Sequence, residues 1–131
     1  MINAPATLLA LSVIMLMVHI FLQAFFVTKD KGRAWNAGPR DHSGIALSPI
    51  AGRAVRASAN FRETYLAFLA LMLMSAFYPS DIILTVFGGI IWLVARMLYL
   101  PFYLLGIPYI RSIIWLFSIV GLAIMFAALW R

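Results

Sequence analysis

The chain has 131 residues, of which 65% are hydrophobic and only 11% charged, with a formal net charge of +6 and a mean hydropathy of +1.01. A soluble domain is roughly 45–50% apolar and about 25% charged, so this composition excludes one, and with it the basic soluble surface that a nucleic-acid partner needs. The absence of cysteine excludes disulfides, thiolate metal sites and a cysteine nucleophile.

The first apolar run covers residues 5–27, close to the ~20 residues that cross a bilayer core. It is too long for a cleavable signal peptide and comes after an uncharged Met1-Ile2-Asn3 start. His19 and Gln23, one turn apart, read as a helix–helix contact. Lys29, Lys31, Arg33 and Arg40 lie in the one sizeable loop, residues 28–50. Within it, Asn36-Ala37-Gly38-Pro39-Arg40-Asp41 reads as turn chemistry, with Asp41 able to cap the next helix. His42 has no metal-ligand company there, so no metal site is expected.

A second helix is expected over residues 51–78, polar at first and apolar from Tyr65 to Tyr78. Pro79-Ser80-Asp81 then makes a tight turn into a third helix, residues 82–105. Gly106-Ile107-Pro108 breaks that helix, and a fourth covers residues 109–130. Strands of a membrane barrel would be about half as long and would alternate in polarity. The expected fold is therefore an all-α membrane protein, a single domain built as a four-transmembrane-helix bundle of up-down topology. The basic first loop places itself in the cytoplasm and the Pro79–Asp81 turn outside. Both termini then lie outside, with Arg131 the one charge arguing the other way.

Ionisable groups in hydrocarbon are costly, so each is a functional signal by default. Arg53, Arg56, Asn60 and Glu63 stand at offsets of three, seven and ten, which places them within an arc of about 80° on one helix face. Two arginines, an amide and a carboxylate on one stripe could hold a zwitterionic or anionic ligand, since arginine presents a planar fork to carboxylates and Glu63 could receive an amino group. The competing reading is an amphipathic helix end whose charges merely neutralise one another. Arg96, Tyr99 and Tyr103 share a face of the third helix at offsets of three and seven. Arg96 lies about 22 Å past the outer turn, where its charge needs a partner or polar surroundings, and Glu63 is the one intramembrane carboxylate at similar depth. Tyr78 and Tyr109 read as interfacial anchors. Arg111 and Ser112 open the fourth helix at the same level, so three helices place polar groups in one slab of the membrane.

These residues resemble a known pattern. Arg53, Arg56, Ala57, Asn60 and Glu63, read as RxxRAxxNxxE, resemble the signature of the MAPEG family, the membrane-associated proteins in eicosanoid and glutathione metabolism. Arg96, Tyr99 and Tyr103, with Pro108, Arg111 and Ser112 after them, are similar to the family's later helices, so the resemblance covers essentially the whole chain. The Asn36–Asp41 stretch resembles a loop of bacterial members. The resemblance implies a homotrimer in the bacterial inner membrane, with active sites between neighbouring subunits and open to the cytoplasm. It implies glutathione, or another small thiol, as cosubstrate. Arg56, Asn60 and Glu63 would bind its carboxylate and amino groups, Tyr99 and Tyr103 would add hydrogen bonds from the facing subunit, and Arg111 would stabilise the thiolate with Ser112 as helper. The implied function is a glutathione-dependent transferase or peroxidase acting on lipophilic electrophiles. A non-catalytic lipid-binding or scaffold protein of the same fold is the alternative. The chain departs from the pattern at Thr64, where a synthase branch has tyrosine, and at Ser58-Ala59, where relatives carry Gln or His. The family's basic residue near the end of the first helix has three candidates here: Lys29, Arg33 and Arg40.

Overall fold

The computed structural model describes residues 3–41 and 44–131; His42 lies outside them. Its elements are helices α1 (Ala4–Lys31), α2 (Arg33–Ala37), α3 (Pro49–Phe77), α4 (Ile82–Leu105) and α5 (Ile110–Ala128). The first helix outruns its apolar segment by four residues and carries Lys29 and Lys31 in its last turn, where cations suit the helix dipole. It ends at Gly32, whose φ of 90° is open to glycine and strained for most other residues. The chain then re-enters a short helix, so Asn36 and Ala37 are helical and the expected turn is confined to Gly38 and beyond. The start of α3 is also corrected. Its cap is Ser48, not Asp41; the Ser48 side chain accepts from the Ala51 N–H, and Pro49 occupies the first turn, where its missing N–H costs nothing.

The two later boundaries agree with the sequence signals. Asp81 caps α4 by accepting from the Ile83 and Leu84 N–H groups, each at 3.0 Å, and Gly106 ends it in the left-handed conformation at φ 73°. Pro101 lies inside α4, as membrane helices tolerate when neighbours satisfy the freed carbonyl.

Three tertiary bonds set the chain's direction. The Ser48 N–H donates to Asp30 Oδ2 at 2.7 Å, Arg53 Nη1 donates to the Leu104 carbonyl at 3.1 Å, and the Asp81 N–H donates to the Ala128 carbonyl at 3.0 Å. They join the end of α1 to the start of α3, the start of α3 to the end of α4, and the start of α4 to the end of α5. Successive long helices therefore run antiparallel.

By length and composition, α1, α4 and α5 are apolar enough to cross a membrane. The sequence pattern predicts four such helices. α3 has the length, at 29 residues, but Arg53, Arg56, Arg62 and Glu63 crowd its first half and leave a short apolar remainder. Much of the apolar surface points outward, including Phe21, Phe25, Ile83 and Phe117. That exposure carries no penalty against lipid tails, which are as apolar as leucine.

The core is aromatic. Phe61, Tyr65 and Phe68 line one face of α3 and meet Trp92 of α4; the Phe68 and Trp92 rings stack at 4.1 Å and 10°. α4 and α5 touch backbone to backbone at Gly88 and Gly121, where an added Cβ would stand 2.6 Å and 2.7 Å from the facing carbonyl.

Candidate functional site

The site forms where the C-terminal half of α4 meets the first turns of α5, against the middle of α3. Arg96 is wholly buried. Its Nη1 and Nη2 both donate to Asn60 Oδ1, each at 3.0 Å. The guanidinium also lies 4.5 Å from the Tyr99 ring centre and 5.5 Å from that of Phe61, close enough for cation–π attraction. Glu63 is exposed, and among the described residues Arg96 has no carboxylate partner. The pairing that depth alone suggested is therefore replaced by an amide and two ring faces. A neutral acceptor one helical turn away does the job because both terminal nitrogens of the fork converge on it.

Asn60 in turn faces a cleft of about 260 Å³ lined by Asn60, Tyr99, Tyr103, Arg111, Ser112 and Trp115. Tyr99 is buried and Tyr103 half-buried, their rings 5.2 Å apart. The Arg111 guanidinium stands 4.9 Å from the Tyr103 ring centre. Arg111 is in the first turn of α5, where the helix dipole adds positive potential. Ahead of it Tyr109 takes φ 61°, a strained value for a tyrosine, as the chain reverses after Gly106. The cleft thus offers one guanidinium, two phenols, an amide and a hydroxyl, and no carboxylate. It suits an anionic group with several hydrogen-bond acceptors.

Five residues singled out from the sequence, Asn60, Tyr99, Tyr103, Arg111 and Ser112, come together here within one chain, with Arg96 directly behind them, so Tyr99 and Tyr103 adjoin Asn60 without the facing subunit that the resemblance implies for them. Three others do not line the cleft. Arg56 and Glu63 are exposed on the α3 surface beside it. Arg53 donates to the Leu104 carbonyl and packs against Gly106, whose Cβ would fall 2.6 Å from the guanidinium carbon; it closes the end of α4. Trp115 was not singled out, because one tryptophan within an apolar helix carries no signal beyond packing. It stands four residues after Arg111, on the same helix face, which is the pattern that could have found it. Of the loop basics, Arg40 lines a separate groove against α1 and α3, and Lys29 and Arg33 line another crevice along α1.

His19 is buried, but neither ring nitrogen has a partner among the described residues. It stacks on Phe61 at 4.4 Å instead of hydrogen-bonding across helices, while Gln23 lines the α1 groove. Tyr78 and Tyr109 are both exposed.

Comparison with curated proteins finds no match. Comparison with protein families does: the MAPEG family profile matches residues 5–130. With its apolar spanning helices, that match makes the chain an integral membrane protein, and it belongs to the MAPEG family.

Proposed function

We propose that this protein is a glutathione-dependent transferase or peroxidase of the membrane, acting on lipophilic electrophiles. The observation that carries the reading is the cleft in which Arg111 of α5 meets Tyr99 and Tyr103 of α4 and Asn60 of α3. In this reading all four long helices span the bilayer, the residue 28–50 loop is cytoplasmic, and three copies form a ring with a site at each contact. Arg56 and Glu63, exposed on one chain, then face the neighbouring copy and take the carboxylate and amino groups of the thiol. Asn60 and the two phenols hold its peptide groups. Arg96 acts through Asn60 and is a positioning residue.

Arg111 supplies the chemistry. A free thiol has a pKa of about 8.5, and an adjacent guanidinium at a helix start lowers it toward neutrality. In conjugation the thiolate sulfur attacks an electrophilic carbon, the S–C bond forms, and the leaving group departs with the bonding pair. In peroxide reduction the sulfur attacks the distal oxygen, the O–O bond breaks, and a second thiol converts the sulfenic acid to a disulfide and water. Ser112, in the lining of the same cleft, is the helper assigned to return a proton to the departing oxygen.

One observation favours the alternative, a non-catalytic lipid-binding or scaffold protein. The single chain's cleft contains no carboxylate to receive an amino group. Turnover separates the two. The purified protein is given glutathione with a halonitroarene or a lipid hydroperoxide. Thiol-dependent turnover that falls about 10²-fold in Arg111→Ala supports the enzyme. No binding and no turnover sinks it.

A further inference from the structure

Pro108 leaves a carbonyl unserved at the end of α4. In a continuing helix the Leu104 carbonyl would accept from the N–H four residues on. That residue is Pro108, which has no N–H. The two carbonyls before it are served by backbone: Phe102 accepts from the Ile107 N–H at 3.2 Å and Tyr103 from the Gly106 N–H at 3.0 Å. Leu104 is served from another helix, by Arg53 Nη1 at 3.1 Å. The same guanidinium occupies the space beside Gly106, where a Cβ would fall 2.6 Å from its carbon and 2.8 Å from either terminal nitrogen. Arg53 therefore fits against this turn only because residue 106 has no side chain.

Three residues further on the backbone is strained. Tyr109 takes φ 61° and ψ −54°, and the Ile110 N–H donates to the Pro108 carbonyl at 2.7 Å. That is a γ-turn of the rare, costly hand. The Tyr109 side chain does not pin it, being 81% exposed, and no side chain caps α5. Such a conformation persists only where its surroundings hold it. The Ser112 and Ile113 N–H groups both donate to the Tyr109 carbonyl, at 2.9 and 3.0 Å. Arg111 stands inside this closed first turn, so the turn sets where its side chain starts.

The start of α5 has two anchors. One is the Gly88–Gly121 seam, about 15 Å along α5 from Arg111. The near one is Arg53. We propose that Arg53 is a positioning residue: by fastening the last turn of α4 it holds the strained Tyr109 turn in place and so aims Arg111 at the bound thiol. Arg53 does not line the cleft, and its effect on the chemistry passes through the turn. The consequence for the thiol rests on the function proposed above, whereas the fastening rests on the turn geometry alone.

Amide hydrogen exchange and a thiolate titration test this on the intact, detergent-purified protein, with Arg53→Met and Arg53→Lys alongside. In Arg53→Met the amides of residues 106–113 should exchange at least about tenfold faster, while residues 82–88, at the other end of α4, keep native rates. The pH midpoint of the glutathione thiolate band should rise toward the free-thiol value of about 8.5. kcat should fall about 10- to 100-fold, with KM for glutathione little changed. Arg53→Lys keeps one donor and should restore part of each. Native exchange at the turn overturns the fastening. Equally fast exchange at both ends of α4 makes Arg53 merely structural and overturns the proposal, as does faster exchange at the turn with an unshifted thiolate midpoint. A raised KM at the native midpoint would make Arg53 a ligand contact and overturn it too. If the native protein itself forms no thiolate, the thiol reading fails and takes the aiming of Arg111 with it, while exchange at the turn still decides the fastening.

Discussion

Arg96 shows how one charge organises the site. It is the one fully buried ionised side chain among the described residues, and its terminal nitrogens both end on Asn60. Removing a hydrogen-bond partner of a buried charge costs about 2 kcal/mol or more. Asn60→Ala should therefore lower the thermal midpoint in detergent by about 7 °C, whereas Arg56→Ala, on an exposed side chain, should leave it unchanged. Equal effects would remove Arg96 from its organising place. Glu63 separates binding from folding. It is exposed and unpaired among the described residues, so Glu63→Gln should weaken thiol binding, read by calorimetry, with no loss of midpoint. Collapse of that variant would instead make the carboxylate structural. The sequence pointed to Arg96 because charge in an apolar run stands out. It could not show that Asn60, and not Glu63, would meet it, since both lie on one α3 face and only side-chain conformations distinguish them.

Helix ends were legible where turn chemistry is local. Pro79-Ser80-Asp81 and Gly106-Ile107-Pro108 marked the limits of α4, and the structure puts a side-chain cap on one and a left-handed glycine on the other. Asp81→Ala should cost about 1 kcal/mol, seen as a lower midpoint with activity retained. The short α2 was hidden by the Gly and Pro around it, because a single turn of helix leaves no periodic pattern. The link from Arg53 to the end of α4 was hidden for another reason: it spans 51 residues, and no local rule foretells it. The α4–α5 seam rests on Gly88 and Gly121, where the atoms opposing an added Cβ are mainly backbone and cannot yield. Gly121→Ala should destabilise by about 1–3 kcal/mol and reduce activity, since it parts Arg111 from Tyr99. Gly44→Ala, with open space around it, is the control and should do neither.

At the scale of the whole molecule, seven basic residues fall between Lys29 and Arg62 and three elsewhere. That asymmetry sets the expected orientation, and the lack of native cysteine makes it simple to test. Gly44→Cys should be labelled by an impermeant maleimide only from the cytoplasmic side, and Ser80→Cys only from the other; the reverse pattern would invert the topology. Membrane character was plain from composition, and the family from the spacing of nine polar residues. An assembly is not legible in a single chain, because apolar surface is exposed alike against lipid and against protein. In the proposed reaction Arg111 turns a bound thiol into a thiolate, and ultraviolet difference absorbance on adding glutathione at pH 7, with Arg111→Ala alongside, puts that step to the test. The expected result is a thiolate band in the native protein that is absent from the variant until the pH approaches the free-thiol value of about 8.5. A band of equal size in both, or in neither, would contradict it.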